Sequence, residues 1–333
     1  MEPGTTWLSW DSDGVGYRHT PVMVQEVMDF LAPRPGGIYV DGTLGGGGHA
    51  RRILSRIGPA GRLIGIDRDA DAIENAGETL ADAGEGLQLV HDNFSNLPEI
   101  LDRLGIEAVD GVLLDLGVSF HQIRDGRRGF SFSVDEPLDM RMDWRSGETA
   151  RDLVNRLDRD RLAGIFREYG EERFARRIAG RIVSRRRDRP FETSGDLAAT
   201  IRSAIPGPRH RGSGRIDPAT RSFMALRIAV NAELAHLDNF LAALAEGGAA
   251  IFRPGGRLCI LAFHSLEDRI VKRRFQEMEK GCICPPALPR CACGRSPCFR
   301  VLTRKPLRPD PAEVELNPMA RSTRLRAAEK IGE

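Results

Sequence analysis

The chain has 333 residues, 41% of them hydrophobic and 29% charged, with a formal net charge of +2. This balance excludes a mostly disordered chain, and no stretch approaches the ~18 uninterrupted apolar residues of a membrane helix. The length suits one large domain or a domain with an insertion, at ~100–200 residues per domain. Taken alone, the near-neutral charge points to no anionic partner.

Residues 1–18 read as a loose arm, polar and acidic at its start, with none of the basic and apolar regions of a secretory signal. Apolar positions at Val22, Val24, Val27, Met28 and Leu31 predict a short helix over about 21–31. Ile38–Val40 is a short buried strand, followed at once by DGTLGGGGHA (41–50) and a helix from His49 to Ile57. A turn at 58–61 leads to a strand at Arg62–Ile66, a helix at 70–82, a strand at Leu87–His91, a helix at 96–104 and a strand at Asp110–Asp115. Strands alternating with helices at this spacing are the signature of a parallel α/β sheet.

The alternation stops at residues 119–147, which are loop-like. From about Thr149 to Ile205 the pattern is helical, with an N-cap expected at 193–196. A basic Gly/Pro loop at 206–218 precedes a helix pair at 219–246, a turn at Pro254-Gly255-Gly256 and an apolar strand at Arg257–Phe263. The expected architecture is one α/β domain, residues 19–124 and 218–333, interrupted by a helical insertion at 125–217.

The glycine loop between strand and helix is the densest chemical signal. Glycine lets a backbone turn tightly and approach a ligand, which also meets the unpaired N–H groups of the following helix. Asp67 ends the next strand, where a carboxylate accepts hydrogen bonds from ribose hydroxyls. The implied ligand contains a nucleoside, carrying either a diphosphate or an amino-acid tail. Asp41, Asp67, Asp92 and Asp115 all fall at strand ends. Four acids on one edge suit a cationic sulfonium better than an anionic dinucleotide. Phe94, just after the third strand, is either an adenine-stacking ring or a core aromatic.

These residues resemble the bacterial MraW family. The likeness runs over nearly the whole chain and includes His19-Thr-Pro-Val22, DGTLGGGGHA (41–50), GIDRD (65–69), DGVLLDLGVS (110–119), RGFSF (128–132) and PLDMRMD (137–143). It continues in YGEERFARRIA (169–179), PATRSFMALRIAVNAEL (218–234), PGGRLCILAFHSLEDRIVK (254–272), LTRKP (302–306) and NPMARSTRLR (317–326). The resemblance implies a class I S-adenosylmethionine-dependent methyltransferase, a Rossmann-like sheet with an inserted all-helical domain. Its implied activity is methylation of N4 of a cytidine (position 1402) in the decoding region of 16S ribosomal RNA. It also implies cofactor contacts at Gly47, Gly48, His49, Asp67, Phe94, Asp115 and Gln122. Where the family commonly reads Ser-Ser-Pro-Gln, this chain has Ser119-Phe120-His121-Gln122 and lacks the proline.

An exocyclic cytosine amine needs hydrogen-bond acceptors that draw its nitrogen toward tetrahedral geometry and then take a proton. Other amino-methyltransferases carry Asp/Asn-Pro-Pro-aromatic at the fourth strand end; Asp115-Leu116-Gly117-Val118 keeps only the acid. Asp115 therefore either accepts from the target amine or orients the cofactor. Asp139, Asp143, His264 and Ser265 are the other catalytic candidates. For His264 the alternatives are base contact or proton handling, and a hydrogen-bonded structural role.

Residues 151–227 hold 19 Arg, no Lys and 10 acids, a balance of +9, so the rest of the chain carries −7. The insertion is expected to address 16S rRNA in the small ribosomal subunit, with Arg185-Arg186-Arg187 and the 209–215 loop favoured for phosphate contacts. Of six cysteines, Cys259 reads as a core residue and five crowd into 282–298. That placement argues against a disulfide scaffold and for a reducing cytoplasm. One-residue gaps in Cys282-x-Cys284 and Cys291-x-Cys293 are a weaker zinc signal than two-residue gaps, so a reduced loop without metal is expected over a zinc site. No membrane partner is expected, and a homodimer is left open. The competing readings are an NAD-type oxidoreductase, which gives the basic insertion no role, and a non-catalytic ribosome-assembly factor that keeps the cofactor fold.

Overall fold

The structure, a computed structural model, describes residues 21–332 except 120–121, 123–125, 207–216, 283, 286–287 and 289. The expected arm at 1–18 and the 209–215 loop lie outside the described residues. Among the described residues no helix is long and apolar enough to cross a membrane.

Seven strands form one sheet: β1 (Ile38–Asp41), β2 (Arg62–Asp67), β3 (Leu87–His91), β4 (Val109–Asp115), β5 (Phe252–Ala262), β6 (Phe299–Val301) and β7 (Arg324–Lys330). Their order is β3-β2-β1-β4-β5-β7-β6. The first five are parallel, while β7 runs antiparallel to both β5 and β6. This is the class I, Rossmann-like sheet expected from the resemblance. The chain builds outward from β1 through β2 to β3, then returns to the other side of β1 for β4. The crevice at the carboxyl ends of β1 and β4 is therefore the switch point where ligands sit in such sheets.

Side chains alternate strictly between two cores, as strand geometry requires. Val40, Ile64, Ile66, Val112, Leu114, Leu258 and Ile260 face one core. There they meet α4 (Leu97–Arg103), α10 (Glu233–Ala245) and α11 (Ser265–Lys280). Tyr39, Leu63, Leu113, Cys259 and Leu261 face the other, against α1 (Val24–Leu31), α2 (Gly48–Ile57) and α3 (Ala70–Thr79). Cys259 is a core residue, as read from the sequence, and burial pushes its thiol up to about 12. Because both faces are covered, these strands read as nearly continuous apolar runs. One boundary differs from expectation. β5 begins at Phe252, not Arg257, because Pro254–Gly256 forms an irregularity within the strand where the register against β4 shifts.

The inserted helices are α5 (Ala150–Arg156), α6 (Arg159–Glu168), α7 (Ala175–Arg185) and α8 (Ser194–Ala204). Thr149 and Asp152 make a reciprocal capping box, and Asp158 and Thr193 cap the helices that follow them. Each cap satisfies N–H groups that lack intrahelical partners. A separate core joins Leu153, Phe166, Ile178, Ile182, Leu197 and Ile201. That core runs past residue 217, because α9 (Thr220–Asn231) buries Phe223, Ala225 and Leu226 in it. The packing unit thus extends into a segment that the sequence boundary had assigned to the sheet domain. α9 passes to α10 through Ala232, at φ +50°. Arg68 Nη1 donates to the Asn231 carbonyl at 2.8 Å, tying the two units together at the carboxyl edge of the sheet.

Candidate functional site at the carboxyl edge of the sheet

Register places Asp41 beside Gly65 of β2 and Leu113 of β4. Asp67 and Asp115 therefore lie two residues further along on either side, and three acids converge at the switch point. Asp67 accepts the Gly45 N–H on Oδ2 and the Asp69 N–H on Oδ1, each at 2.8 Å. Burial still raises its pKa to about 6. Asp41 is fully buried and accepts only a longer bond, from the Thr43 N–H at 3.3 Å. Burial, with repulsion from Asp67, raises it to about 7. Asp115 is pushed well above the usual carboxylate range, first by burial and then by the charges of Asp41 and Glu267. Taking an anion out of water favours its neutral form unless a cation compensates.

The glycine loop wraps this edge. Gly47 caps α2 at φ +73°, a backbone conformation that side chains disfavour. Gly42 lets the loop press against β4 and the next turn: a Cβ there would lie 2.5 Å from Leu114 Cδ2 and 3.1 Å from Phe94 Cβ. The hydroxyl of Thr43 accepts the Asp115 N–H at 2.5 Å. Phe94 meets Phe240 edge-on, with ring centroids 5.8 Å apart. The neighbouring Asp92 is held below the usual range. Burial works to raise it, but Asn96, the Asn93 N–H and Arg103 all donate to it.

His49, in the first turn of α2, places Nε2 3.6 Å from Asp115 Oδ2. The other carboxylate oxygen, Asp115 Oδ1, is buried and has no hydrogen-bond partner among the described residues. Unpartnered buried acceptors are costly and rare, so this oxygen is shaped for a donor from outside the chain.

The remaining candidates have other surroundings. Gln122 donates to Asp69 Oδ2 at 2.6 Å and accepts the Ser119 N–H at 2.9 Å. Arg128 Nη1 reaches the same Asp69 oxygen at 2.6 Å, while its Nη2 donates to the carbonyls of Arg141 and Met142. Gln122 is thus part of a buried latch between the sheet and the segment entering the insertion. His264 caps α11 through a capping box with Glu267, whose carboxylate accepts the Phe263 and His264 N–H groups. Burial would raise Glu267, but His264 and Arg227 hold it below the usual range. His264 thus has a capping role at the start of α11. Both oxygens of Asp139 are taken by Arg141, at 2.7–2.9 Å, and Asp143 is paired with Arg145. Ser265 donates to Glu171 of the insertion at 2.9 Å.

Residues not singled out from the sequence also shape the site. Asn231 donates to the Met140 carbonyl and accepts the Met142 N–H, holding that segment over the edge. Arg227 and Glu233 form a two-pronged ion pair at 2.9 Å. Both lie in strings that carry the family likeness, but only the fold shows what they touch.

Of the three arginines at 185–187, two are engaged within the insertion and Arg187 is exposed. Arg185 pairs with Asp196 and lies over the Phe191 ring, and Arg186 donates to the carbonyls of Val154 and Leu157. They brace helix ends, because a long guanidinium stem packs well where carbonyls lack partners. On α7, Arg176, Arg177 and Arg181 also stand in solvent with no ion pair among the described residues.

A profile of the MraW methylase family matches residues 16–331. The chain is 55% identical to a ribosomal RNA small subunit methyltransferase H from Geotalea uraniireducens (strain Rf4), over 95% of this chain and 99% of that protein. It is 51% identical to the protein of that name from Symbiobacterium thermophilum, over 95% of this chain and 98% of that protein. Among solved structures, a putative rRNA-methylase from Clostridium thermocellum aligns over 92% of this chain and 95% of that one, at 13% identity and a TM-score of 0.41.

Proposed function

The chain belongs to the MraW methylase family, and from that premise we propose that it methylates N4 of a decoding-region cytidine in the 16S rRNA of the small ribosomal subunit, using S-adenosylmethionine. The residues fit that cofactor. Asp67 keeps lone pairs for ribose hydroxyls, and Phe94 offers a ring beside them. The start of α2 at Gly47, Gly48 and His49 suits a carboxylate tail, while Asp41 suits its ammonium. Three acids whose pKa values are raised by burial and by neighbouring carboxylates favour a ligand that brings positive charge. When bound, the cofactor supplies an electrophilic methyl group on a sulfonium.

The chain's own task is to position the amine and receive its proton. Asp115 Oδ1 accepts the N4–H of the target base, which draws the nitrogen lone pair out of conjugation with the ring. His49 steadies the other oxygen, and Thr43 fixes the backbone beneath it. A carboxylate of raised pKa is a stronger base than an ordinary one, which suits proton removal from a weakly acidic amine. His264 and Asp139 are given positioning roles, at the start of α11 and at the entry to the insertion. Arg176, Arg177 and Arg181 of α7 supply phosphate contacts that bring the RNA to this edge.

The observation that carries this reading is the unpartnered, buried Asp115 oxygen beside His49 at the switch point. The test is incubation with methyl-labelled S-adenosylmethionine and small ribosomal subunits lacking the modification, then nucleoside analysis. N4-methylated cytidine is expected. Label on another atom overturns the assigned position, and subunit binding without label leaves only an assembly factor.

A further inference from the structure

The loop between α11 and β6 holds five cysteines, and its described residues bury little apolar surface. Leu288 is 46% exposed, and Gly281 packs against the backbone of Ser296 and Pro297 at the loop's base. The base is closed by the Cys298 N–H donating to the Met278 carbonyl at 3.0 Å. Above it, the sulfurs of Cys282, Cys284, Cys291 and Cys293 all lie within 4.8 Å of one another. Three pairs are closer still: Cys282–Cys291 at 3.5 Å, Cys291–Cys293 at 3.4 Å and Cys282–Cys293 at 3.8 Å. None is near a disulfide bond length of about 2.05 Å.

From this arrangement we infer that Cys282, Cys284, Cys291 and Cys293 bind one structural zinc ion. Zinc–sulfur bonds of about 2.3 Å in a tetrahedron separate the sulfurs by about 3.8 Å. The Cys282, Cys291 and Cys293 sulfurs, at 3.4–3.8 Å, already lie within a few tenths of an ångström of that value, and Cys284 lies within 4.8 Å of all three. Thiol hydrogen bonds are weak, and the described residues of this loop bury little apolar surface to offset the entropy of bringing four side chains together. Four thiols lose their protons to water as the ion binds, leaving a doubly negative tetrathiolate. The spacing alone argued for a metal-free loop, but the fold brings the two Cys-x-Cys pairs together.

The site is structural because of where it lies. α11 starts at the carboxyl edge and runs 16 residues away from it, or about 24 Å at 1.5 Å per residue. The metal therefore pins the loop that delivers the chain to β6, at the far end of the sheet from Asp115.

The experiment measures metal in the full-length chain purified without chelator. About one zinc per chain is expected, released in step with titration of four thiols by a mercurial reagent. Cobalt exchanged into the site should show thiolate charge-transfer absorption. The Cys282→Ser/Cys291→Ser variant should drop below about 0.1 zinc per chain and melt at lower temperature, with kcat within about twofold of the parent. Cys298→Ser should retain zinc. Less than about 0.2 zinc per chain in the parent, iron with labile sulfide in its place, or zinc retained by the double variant would each overturn the assignment. The mercurial release on the parent chain decides the matter even where the variant does not fold.

Discussion

The carboxyl edge of the sheet and the outer face of the inserted helices carry opposite charges and hold them in opposite ways. At the edge, Asp41 is buried and Asp67 and Asp115 are largely so, and their pKa values are raised because they are mostly withdrawn from water. On α7, Arg176, Arg177 and Arg181 are exposed, and solvent and salt screen them. Buried charges act at short range and choose protonation states. Exposed charges act together on a polyanion and answer to ionic strength. The net charge of +2 hides this division entirely.

The largest expected effect tests the buried side. Asp115→Asn keeps the shape but removes the proton acceptor, and should lower the single-turnover methylation rate about 10²–10⁴-fold. A variant within threefold of the parent would remove Asp115 from the chemistry. Next is the latch behind the site. Arg128→Met leaves the Asp69 carboxylate buried without its cation, and should cost about 3–5 kcal/mol in urea unfolding. Pairing it with Asp69→Asn should recover much of that loss, since the buried charge is then gone; equal instability of the double variant would show that packing, not charge, holds the latch.

The exposed side predicts a milder change. Replacing Arg176, Arg177 and Arg181 together with Gln should weaken 16S rRNA binding about 10–100-fold at low salt. It should also flatten the salt dependence by about 0.7–0.9 for each phosphate left without its arginine. The rate at saturating RNA should hold. An unchanged salt slope would move the RNA path off α7.

The smallest effect is one of pH. Asp41 and Asp67 are raised from 3.8 to about 7 and about 6. In the ligand-free protein their contribution to stability is fully present below pH 3.8 and is lost as pH rises through 6 and 7. Cofactor affinity should run the other way, rising a few-fold from about pH 5.5 to 7.5 as the carboxylates ionise. Calorimetric titration of the parent and of Asp41→Asn checks both signs, since the variant should lose the upper part of the rise.

Much of this was legible before the fold. Alternating apolar runs separated by glycine turns named the parallel strands, and acids directly after those runs marked the carboxyl edge, because strand order alone sends successive strand ends to one side. The capping role of His264 was also within reach: His-Ser-Leu-Glu carries the spacing of a capping box, although histidine is an uncommon cap. Gln122 and Arg128 were not legible in their latch roles, since Asp69 lies more than fifty residues from either. The parts of Arg185 and Arg186 were hidden for a related reason: a run of three arginines reads as charge until the carbonyls it covers are known.

The sequence by itself determined the strands of the sheet and the acids at their carboxyl ends, because these rest on local periodicity and on residues adjacent along the chain. Only the tertiary structure decided that His49 meets Asp115, that α9 belongs to the helical core, and that two Cys-x-Cys pairs converge into one cluster. Each of those depends on distances across the fold, which side-chain packing sets and sequence spacing does not contain.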